Sequence, residues 1–333
     1  MKKLLLLFSF FLSLASFSQV IATANFESLT VGNIGTDLTG TTAGQGGWFT
    51  YNSAGGTNND NTNYQIIDQA GNKKFQITGS NSTTGTKYMW QDGFDAAWAA
   101  RTVGNNIVEV EIDLYASATA TTSLNTARLA LWNTAQDKVL GGFVYYPTSR
   151  IIKGYGSSGT STYVFTLGTA DIVLAAGTWN RIGFSWNSVT GEIKWKGPGF
   201  NGYYVATNGG QTPAELDFLA TTTTGNTVAA STLFDNLIIR ASAADTLLGI
   251  NENILLAEFN IFPNPAKEMI YLSSSKYTYN SVKITDLNGR VVKSIDYNNV
   301  NESSIDISNL VTGMYLMNVV TDQGAFTQKI IKE

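Results

Sequence analysis

Alternation of apolar and polar side chains is the main pattern in the first two thirds of this chain. Its clearest example is VEVEIDLY, residues 108–115, in which Val, Val, Ile and Leu occupy every second position. The carboxylates Glu109, Glu111 and Asp113 occupy positions between them. Successive side chains of a β-strand point to opposite faces, so the pattern predicts a strand with one buried face and one acidic face.

Short stretches with the same character recur along the chain. They predict strands at 24–29, 64–68, 74–78, 107–115, 127–132, 139–146, 150–155, 163–167, 181–187, 192–196 and 233–240. One helical turn is expected at 94–100. Many short strands joined by Gly, Thr, Asn and Ser turns predict an all-β sandwich or jelly roll over residues 20–243.

The amino-acid composition changes after residue 250, and a second unit is predicted at 258–333. Residues 282–292 read VKITDLNGRVV, in which Asn-Gly separates two apolar runs and predicts a hairpin. At 315–320, Tyr315, Met317 and Val319 alternate with Leu316, Asn318 and Val320, which predicts a strand buried on both faces. The unit is therefore expected to be a small antiparallel β-sandwich, and 244–257 is expected to link it to the first domain.

This second unit resembles the type A C-terminal sorting domain of type IX secretion substrates. The residues that carry the resemblance are Pro263, Asn264, Pro265, Asp286, Gly289, Arg290, Leu310, Gly313, Tyr315 and Lys329. The resemblance implies handling by the type IX machinery of a Gram-negative bacterium, passage across the outer membrane, and removal of the domain by a cut in the linker. The mature protein would then be secreted or held on the outer-membrane surface.

The run GTWNRIGFSWNSVTGEIKWKG, residues 177–197, resembles the Trp-led hairpin of laminin-G-like and concanavalin-like jelly rolls. Such folds bring their two ends together on one sheet, so 25–29 is expected beside 233–242. The overall expectation is an all-β protein: a concanavalin-like jelly-roll sandwich, then a small antiparallel sorting domain.

Composition narrows the chemistry. The chain has neither Cys nor His, which excludes disulfides, thiol or His-dependent nucleophiles and the usual zinc sites. Its net charge of −4, with 14% charged residues, gives no sign of a nucleic-acid partner. Residues 1–18 have the basic start, apolar run and small residues of a cleaved signal peptide, and no transmembrane segment is expected in the mature protein.

The acidic strand raises the question of catalysis. Retaining glucanases of the laminarinase type share the jelly-roll fold, and their catalytic strand reads Glu-x-Asp-x-Glu. Glu111 and Asp113 match its first half, but Tyr115 or Ala116 stands at the acid/base position. We therefore expect no hydrolysis at this strand, and the acids form either a solvated face, with Arg128, Lys138 and Lys153 as counter-charges, or a ligand-contacting face.

Aromatic side chains on the predicted strands favour carbohydrate binding, since rings stack on sugar CH faces and carboxylates accept hydroxyl hydrogen bonds. The candidate ligand-binding residues are Trp132, Tyr145, Tyr146, Tyr155, Glu109, Glu111 and Asp113. Trp179, Trp186 and Trp195 are expected in the core. Trp48, Tyr51, Trp90 and Trp98 are expected either to edge a groove or to cap the sandwich.

A structural calcium ion is a further expectation. In concanavalin-like glucanases a calcium site often lies where the first and last strands meet, and Glu27 and Asp235 match that place. Calcium prefers six to eight oxygen ligands, so carbonyls and water would complete the shell.

Three functions remain open. The first is a non-catalytic protein that binds a polysaccharide or surface glycopolymer. The second is a glycoside hydrolase or polysaccharide lyase of the same fold. The third is a structural surface protein that binds other proteins.

Overall fold

The computed structural model describes residues 18–248, 259–275, 277–286, 290–321 and 324–333. Nearly all of the predicted signal peptide, most of the predicted linker, and Gly289 lie outside the described residues. The chain divides between Leu247 and Leu248 into two compact units, here called unit 1 and unit 2. The predicted all-β class is confirmed, because both units are built from antiparallel sheets.

Unit 1 consists of short strands and one short helix, α1 (Phe94–Ala99). Its strands are β1 (Gln19–Ala24), β2 (Gly32–Asn33), β3 (Trp48–Asn52), β4 (Tyr64–Gln69), β5 (Asn72–Thr78), β6 (Lys87–Gln91), β7 (Ile107–Ala116), β8 (Thr126–Asn133), β9 (Val139–Tyr146), β10 (Ile151–Ser158), β11 (Ser161–Phe165), β12 (Ile172–Val173), β13 (Thr178–Asn187), β14 (Glu192–Gly197), β15 (Phe200–Val205), β16 (Pro213–Thr221) and β17 (Ser231–Ser242). Short 3-10 turns lie at Gln45–Gly47 and Asn61–Asn63.

These strands form two sheets. Sheet A has the order β15-β14-β13-β7-β17-β5-β4-β2, with β1 also paired to β17. Sheet B has the order β11-β10-β9-β8-β16-β6-β3, with β12 paired to β10. Neighbours in each sheet are often far apart in sequence, as in a jelly roll.

The core lies between the two sheets and is rich in aromatic side chains. Trp186 and Trp195 are at most 1% exposed, as expected from the sequence. Glycines in the facing sheet leave room for them: a Cβ at Gly154 would lie 2.7 Å from the ring of Trp195. The Trp195 indole N–H donates to the Gly142 carbonyl across the core at 2.7 Å, which satisfies a buried polar group.

The ends of unit 1 meet on sheet A, as predicted, but at a different place. Strand β1 pairs with β17 from Gln19, opposite Ala241, to Ala24, opposite Leu237. The expected strand at 25–29 is instead a turn, in which Phe26 has a φ of 60° and its carbonyl accepts from Leu29 N–H. Only Phe26 and Leu29 are apolar in this stretch, and their spacing of three residues does not fit the alternation of a strand.

Unit 2 has its own core and two sheets. Its strands are β18 (Asn260–Phe262), β19 (Met269–Ser273), β20 (Tyr279–Thr285), β21 (Val291–Val300), β22 (Glu302–Asp306), β23 (Gly313–Thr321) and β24 (Gly324–Lys332). The sheets have the orders β18-β19-β22 and β21-β20-β23-β24. The predicted hairpin is the antiparallel pair β20 and β21.

Several sorting-motif residues hold unit 2 together. The Asn264 side chain donates to the Lys329 carbonyl at 2.8 Å and accepts from Ile331 N–H at 2.9 Å, so it fixes the chain after β18 to β24. Tyr315 is buried, and its hydroxyl donates to the Val311 carbonyl at 2.8 Å.

One prediction for unit 2 is wrong. Strand β23 is buried on one face only: Met317 and Val319 are at 0% exposure, whereas Met314 and Leu316 are about 40% exposed. A run of apolar residues does not reveal which face of an outer layer lacks a covering element.

Candidate functional site

A cleft of about 450 Å³ lies on the outer face of sheet B. It is lined by Tyr51, Ser53, Tyr88, Trp90, Trp132, Gln136, Glu215 and Asp217. Strand alternation on β16 explains the acidic part: Leu216 and Phe218 point into the core, so Glu215 and Asp217 point outward.

Aromatic rings form most of the cleft wall. The Trp90 ring stacks on Phe49 with centroids 5.6 Å apart, and the Tyr51 and Tyr88 rings lie 5.8 Å apart. Trp132 lies on β8, directly opposite Glu215 of the neighbouring antiparallel strand β16. These rings are braced by their neighbours, so the cleft presents a firm apolar wall beside two carboxyl groups.

The carboxyl group of Asp217 is deeply buried at the base of the cleft. The residue is 5% exposed, and its Oδ1 has no hydrogen-bond partner. The indole N–H of Trp132 is likewise buried; it lies close enough to the Asp217 carboxyl group to lower its pKa, but no hydrogen bond of good geometry joins them. The Gln136 side-chain amide donates to Glu215 at 3.3 Å. Unpartnered buried polar atoms are costly, so a ligand that satisfies them gains affinity.

Burial and mutual repulsion change the ionisation of this pair. Burial, reinforced by the negative charge of Glu215, raises the pKa of Asp217 far above its usual range. Burial also raises the pKa of Glu215, with a hydrogen bond from Asp217 opposing the rise and the charge of Asp92 adding to it. This raised pKa favours the protonated form of the Asp217 carboxyl group at neutral pH.

This proton makes stability depend on pH in a defined direction. An unfolded aspartate has a pKa of about 3.9, so between that value and the raised folded pKa the native state binds more protons than the unfolded state. Between these two pKa values, the free energy of unfolding therefore falls by about 1.4 kcal/mol for each unit by which the pH rises. We expect Asp217→Asn to remove this decrease of the free energy of unfolding with rising pH.

The measurement is urea unfolding of the wild type and Asp217→Asn at pH 4, 6 and 8. Glu192→Gln, which changes a partly exposed carboxylate on sheet A, is the control and should follow the wild type. Equal slopes for all three proteins would show that Asp217 is ionised in the native state.

The aromatic residues that were predicted to contact a ligand do not all lie at the cleft. Trp132 lines the cleft, and Tyr155 lies beside it, with its hydroxyl 3.3 Å from the Arg128 guanidinium. Tyr146 is half-buried and does not line the cleft. Tyr145 is 2% exposed and packs in the core, so its prediction as a ligand contact is corrected.

The loop aromatics divide in the same way. Tyr51 and Trp90 line the cleft, whereas Trp48 and Trp98 are at most 4% exposed in the core. Trp179, predicted in the core, is 37% exposed, with its ring 5.3 Å from that of Tyr115. Alternation along β13 places it on the outer face with Arg181, whereas Asn180 and Ile182 point inward.

The acidic row of VEVEIDLY lies on the other sheet. Val108, Val110 and Ile112 are fully buried in the core, as predicted, and the three carboxylates are on the outer face of sheet A. At Glu109 and Glu111, which are 0% and 5% exposed, that face is covered by hydrogen-bonding and ion-pairing partners, so it is not a solvated face. The sequence could not show what covers them.

The counter-charges come from neighbouring strands of sheet A. Arg240 and Arg181 contact Glu111 at 2.7 and 3.1 Å, and Arg181 contacts Asp113 at 3.3 Å. Arg128, Lys138 and Lys153, which were expected in this role, lie on or beside strands of sheet B.

The start of the predicted linker covers Glu109. The backbone N–H and side-chain hydroxyl of Thr246 both donate to its carboxylate, as does the Ser242 hydroxyl. Asp245 pairs with Lys194 at 3.0 Å, and Leu247 is 5% exposed. Burial raises the pKa of Glu109, and these hydrogen bonds oppose the rise. Residues 244–247 are therefore part of unit 1.

The predicted calcium residues have other partners. The Asp235 carboxylate is buried and pairs with the Lys74 ammonium. Glu27 is exposed and accepts a hydrogen bond from Lys73 N–H at 3.0 Å. In the described part of the chain, no group of three or more acidic side chains is placed to hold a metal ion. An ammonium group thus occupies the position beside Asp235, and calcium binding stays a prediction.

Sequence reasoning missed Glu215, Asp217 and Tyr88. Their strands, β16 and β6, were not predicted, although Leu216, Phe218 and Ala220 alternate with polar or outward residues. That alternation, which begins at Pro213, was the available signal.

Comparison with known proteins supports the assignment of unit 2. Residues 260–333 match the family described as "Secretion system C-terminal sorting domain", which confirms the resemblance seen in the sequence. This tail indicates export to the cell surface or the medium. A comparison with curated proteins found no match. In the described ranges, no helix is long and apolar enough to cross a membrane.

Solved structures show only distant similarity. A sialidase matches with a TM-score of 0.39 and 9% identity over 73% of this chain, which spans 20% of that protein. The binding domain of botulinum neurotoxin serotype D/C VPI 5993 matches with a TM-score of 0.43 and 9% identity over 93% of this chain and 73% of that one. Domain 4 of AbnA, an extracellular arabinanase from Geobacillus stearothermophilus, in complex with arabinotriose, matches with a TM-score of 0.38 and 13% identity over 68% and 95% of the two chains.

Proposed function

We propose that unit 1 is a non-catalytic carbohydrate-binding module whose site is the cleft on sheet B. Unit 2 directs it through the type IX machinery across the outer membrane of a Gram-negative bacterium. The observation that carries the binding role is the wall of four aromatic rings, from Tyr51, Tyr88, Trp90 and Trp132, beside buried polar groups.

The chemistry of the cleft suits a sugar. The CH faces of a pyranose ring pack against aromatic rings, while its hydroxyls donate to carboxylates and accept from N–H groups. The cleft offers both kinds of partner, in the Asp217 carboxyl and the Trp132 indole N–H. Its volume of about 450 Å³ is within the usual range for small-ligand sites, about 300–1,000 Å³.

The carboxyl pair does not have the arrangement of a glycosidase. Retaining enzymes hold their two carboxyl groups about 5–5.5 Å apart, and inverting enzymes hold them farther apart, so that a sugar or water fits between. Glu215 and Asp217 are within hydrogen-bonding reach of each other. Leu219 occupies the next outward position on β16, where a third carboxylate would follow. These features favour binding over hydrolysis.

Replacing Trp132 with alanine tests the site directly. The variant loses a cleft wall and an N–H donor, and we expect binding to weaken by at least tenfold, which corresponds to about 1.4 kcal/mol. The measurement is retention of the protein in native gels that contain β-glucan, galactan, xylan or chitin derivatives. Reducing-sugar release from the same polymers is measured in parallel.

Trp179→Ala is the matched control, because Trp179 is a partly exposed tryptophan on sheet A. It should bind like the wild type. Equal retention of the Trp132 and Trp179 variants would place the binding surface elsewhere. Sugar release that disappears in Glu215→Gln would establish the hydrolase alternative, and binding of proteins but of no polysaccharide would favour the structural one.

A further inference from the structure

Negative charge is concentrated in the cleft, and the nearby basic groups are directed elsewhere. Among the described residues that line it, two are acidic and none is basic. The Arg128 guanidinium lies over the Tyr155 ring at 5.1 Å. Lys138 and Lys153 pair with Asp137 and Asp171 at 3.3 and 2.9 Å. The charge of the carboxyl pair is therefore not neutralised within the cleft.

The aromatic wall adds to the attraction for a cation. The face of an aromatic ring carries negative potential, and cages of several rings are a recurrent way of holding ammonium groups. Here Tyr88, Trp90 and Trp132 stand around the same space as Glu215 and Asp217. The rings and the carboxyl groups thus both favour a positively charged ligand.

A buried acceptor at the base of the cleft points to a ligand that donates hydrogen bonds. Asp217 is 95% buried, and its Oδ1 has no hydrogen-bond partner. A primary ammonium group has three donors and no acceptor. It would satisfy this oxygen and the neighbouring Glu215 carboxyl at once.

We propose that the cleft selects sugars that carry a protonated amino group, with the ammonium held between Glu215 and Asp217 and the sugar ring against Trp132. The amino-sugar part of this inference rests on the proposed function; the preference for a cation rests on the cleft alone. A neutral N-acetyl group at the same position leaves the carboxyl charge uncompensated, and an acidic sugar is repelled.

The test compares two oligomers of equal length on the full-length protein. One is the glucosamine tetramer and the other is the N-acetylglucosamine tetramer, at pH 6 and low salt, with affinities from isothermal titration calorimetry. We expect the glucosamine tetramer to bind at least tenfold more tightly. Addition of about 1 M salt, where the screening length is about 3 Å, should reduce the preference.

The double variant Glu215→Gln/Asp217→Asn removes the charge of the pair while keeping side-chain shape. We expect its preference to fall to less than threefold. The control, Asp171→Asn/Glu192→Gln, neutralises two carboxylates outside the cleft, and it should keep the wild-type preference.

Each result decides the inference. Equal affinities in the wild type, a preference for the N-acetylated tetramer, or a preference that survives in the double variant overturns it. Absence of binding by both tetramers also overturns it. The proposed function is tested separately by retention on neutral polysaccharides and its dependence on Trp132, so it can stand when the amino-sugar inference fails.

Discussion

Ile112→Asp is expected to unfold unit 1. Ile112 is 0% exposed, and its strand β7 lies in the middle of sheet A between β13 and β17. The change removes an apolar side chain from the core, which costs about 2–5 kcal/mol, and adds a carboxylate with no partner there, which costs several more. Domains are stable by only about 5–15 kcal/mol in total, so most or all of that stability is lost.

The measurement is the thermal unfolding curve followed by near-ultraviolet circular dichroism. Asp113→Asn is the matched control, because it changes the next residue on the opposite face. Asp113 is partly exposed and bonded to Arg181 and Asn236, so we expect a loss of no more than about 1 kcal/mol. A cooperative transition for Ile112→Asp within a few degrees of the wild type would contradict the placement of this face in the core.

Deletion of residues 260–333 is expected to abolish export. These residues match a secretion sorting family, and they form a unit with its own core, separate from that of unit 1. The deletion retains residues 244–247, so the contacts of Thr246 with Glu109 are kept. We therefore expect a folded unit 1 that accumulates in the periplasm.

The measurement is the distribution of protein among periplasm, cell surface and medium, by immunoblot in a host with a type IX system. Trp132→Ala in the full-length chain serves as the control, since a cleft variant should be exported normally. Truncated protein outside the cell at the wild-type level would show that unit 2 is not the export signal.

The strands that were predicted differ from β3, β6 and β16 in the side chains on their outer faces. Strands β7, β9 and β13 carry long regular alternations or apolar runs; β7 and β9 were found to within one residue, and β13 was found except for its first three residues. Strands β3, β6 and β16 were missed. Their sequences mix aromatic and polar side chains on the outer face, because that face forms the cleft. The rule that predicts strands from alternation is weakest where the outward residues are not simply polar.

The candidate site shows the same division. Trp132 was predicted as a ligand contact, and Tyr51 and Trp90 as possible groove edges, because large aromatic side chains are recognisable one at a time. Glu215 and Asp217 have no such signal: the E-L-D spacing resembles that of the acids in VEVEIDLY. The same alternation produced a covered, ion-paired face on sheet A and an open cleft on sheet B.

The sequence by itself determined the fold class, the sorting unit and the faces of the main strands, since these depend on side-chain periodicity and on motifs within a few dozen residues. Only the tertiary structure decided which acidic face is open. Register places Leu219 beside Arg128 on one side and Tyr88 on the other, residues about 90 and 130 positions away. It also brings Arg240 and Thr246 over the acids of β7. Burial and charge compensation arise from these distant pairings, and no local pattern specifies them.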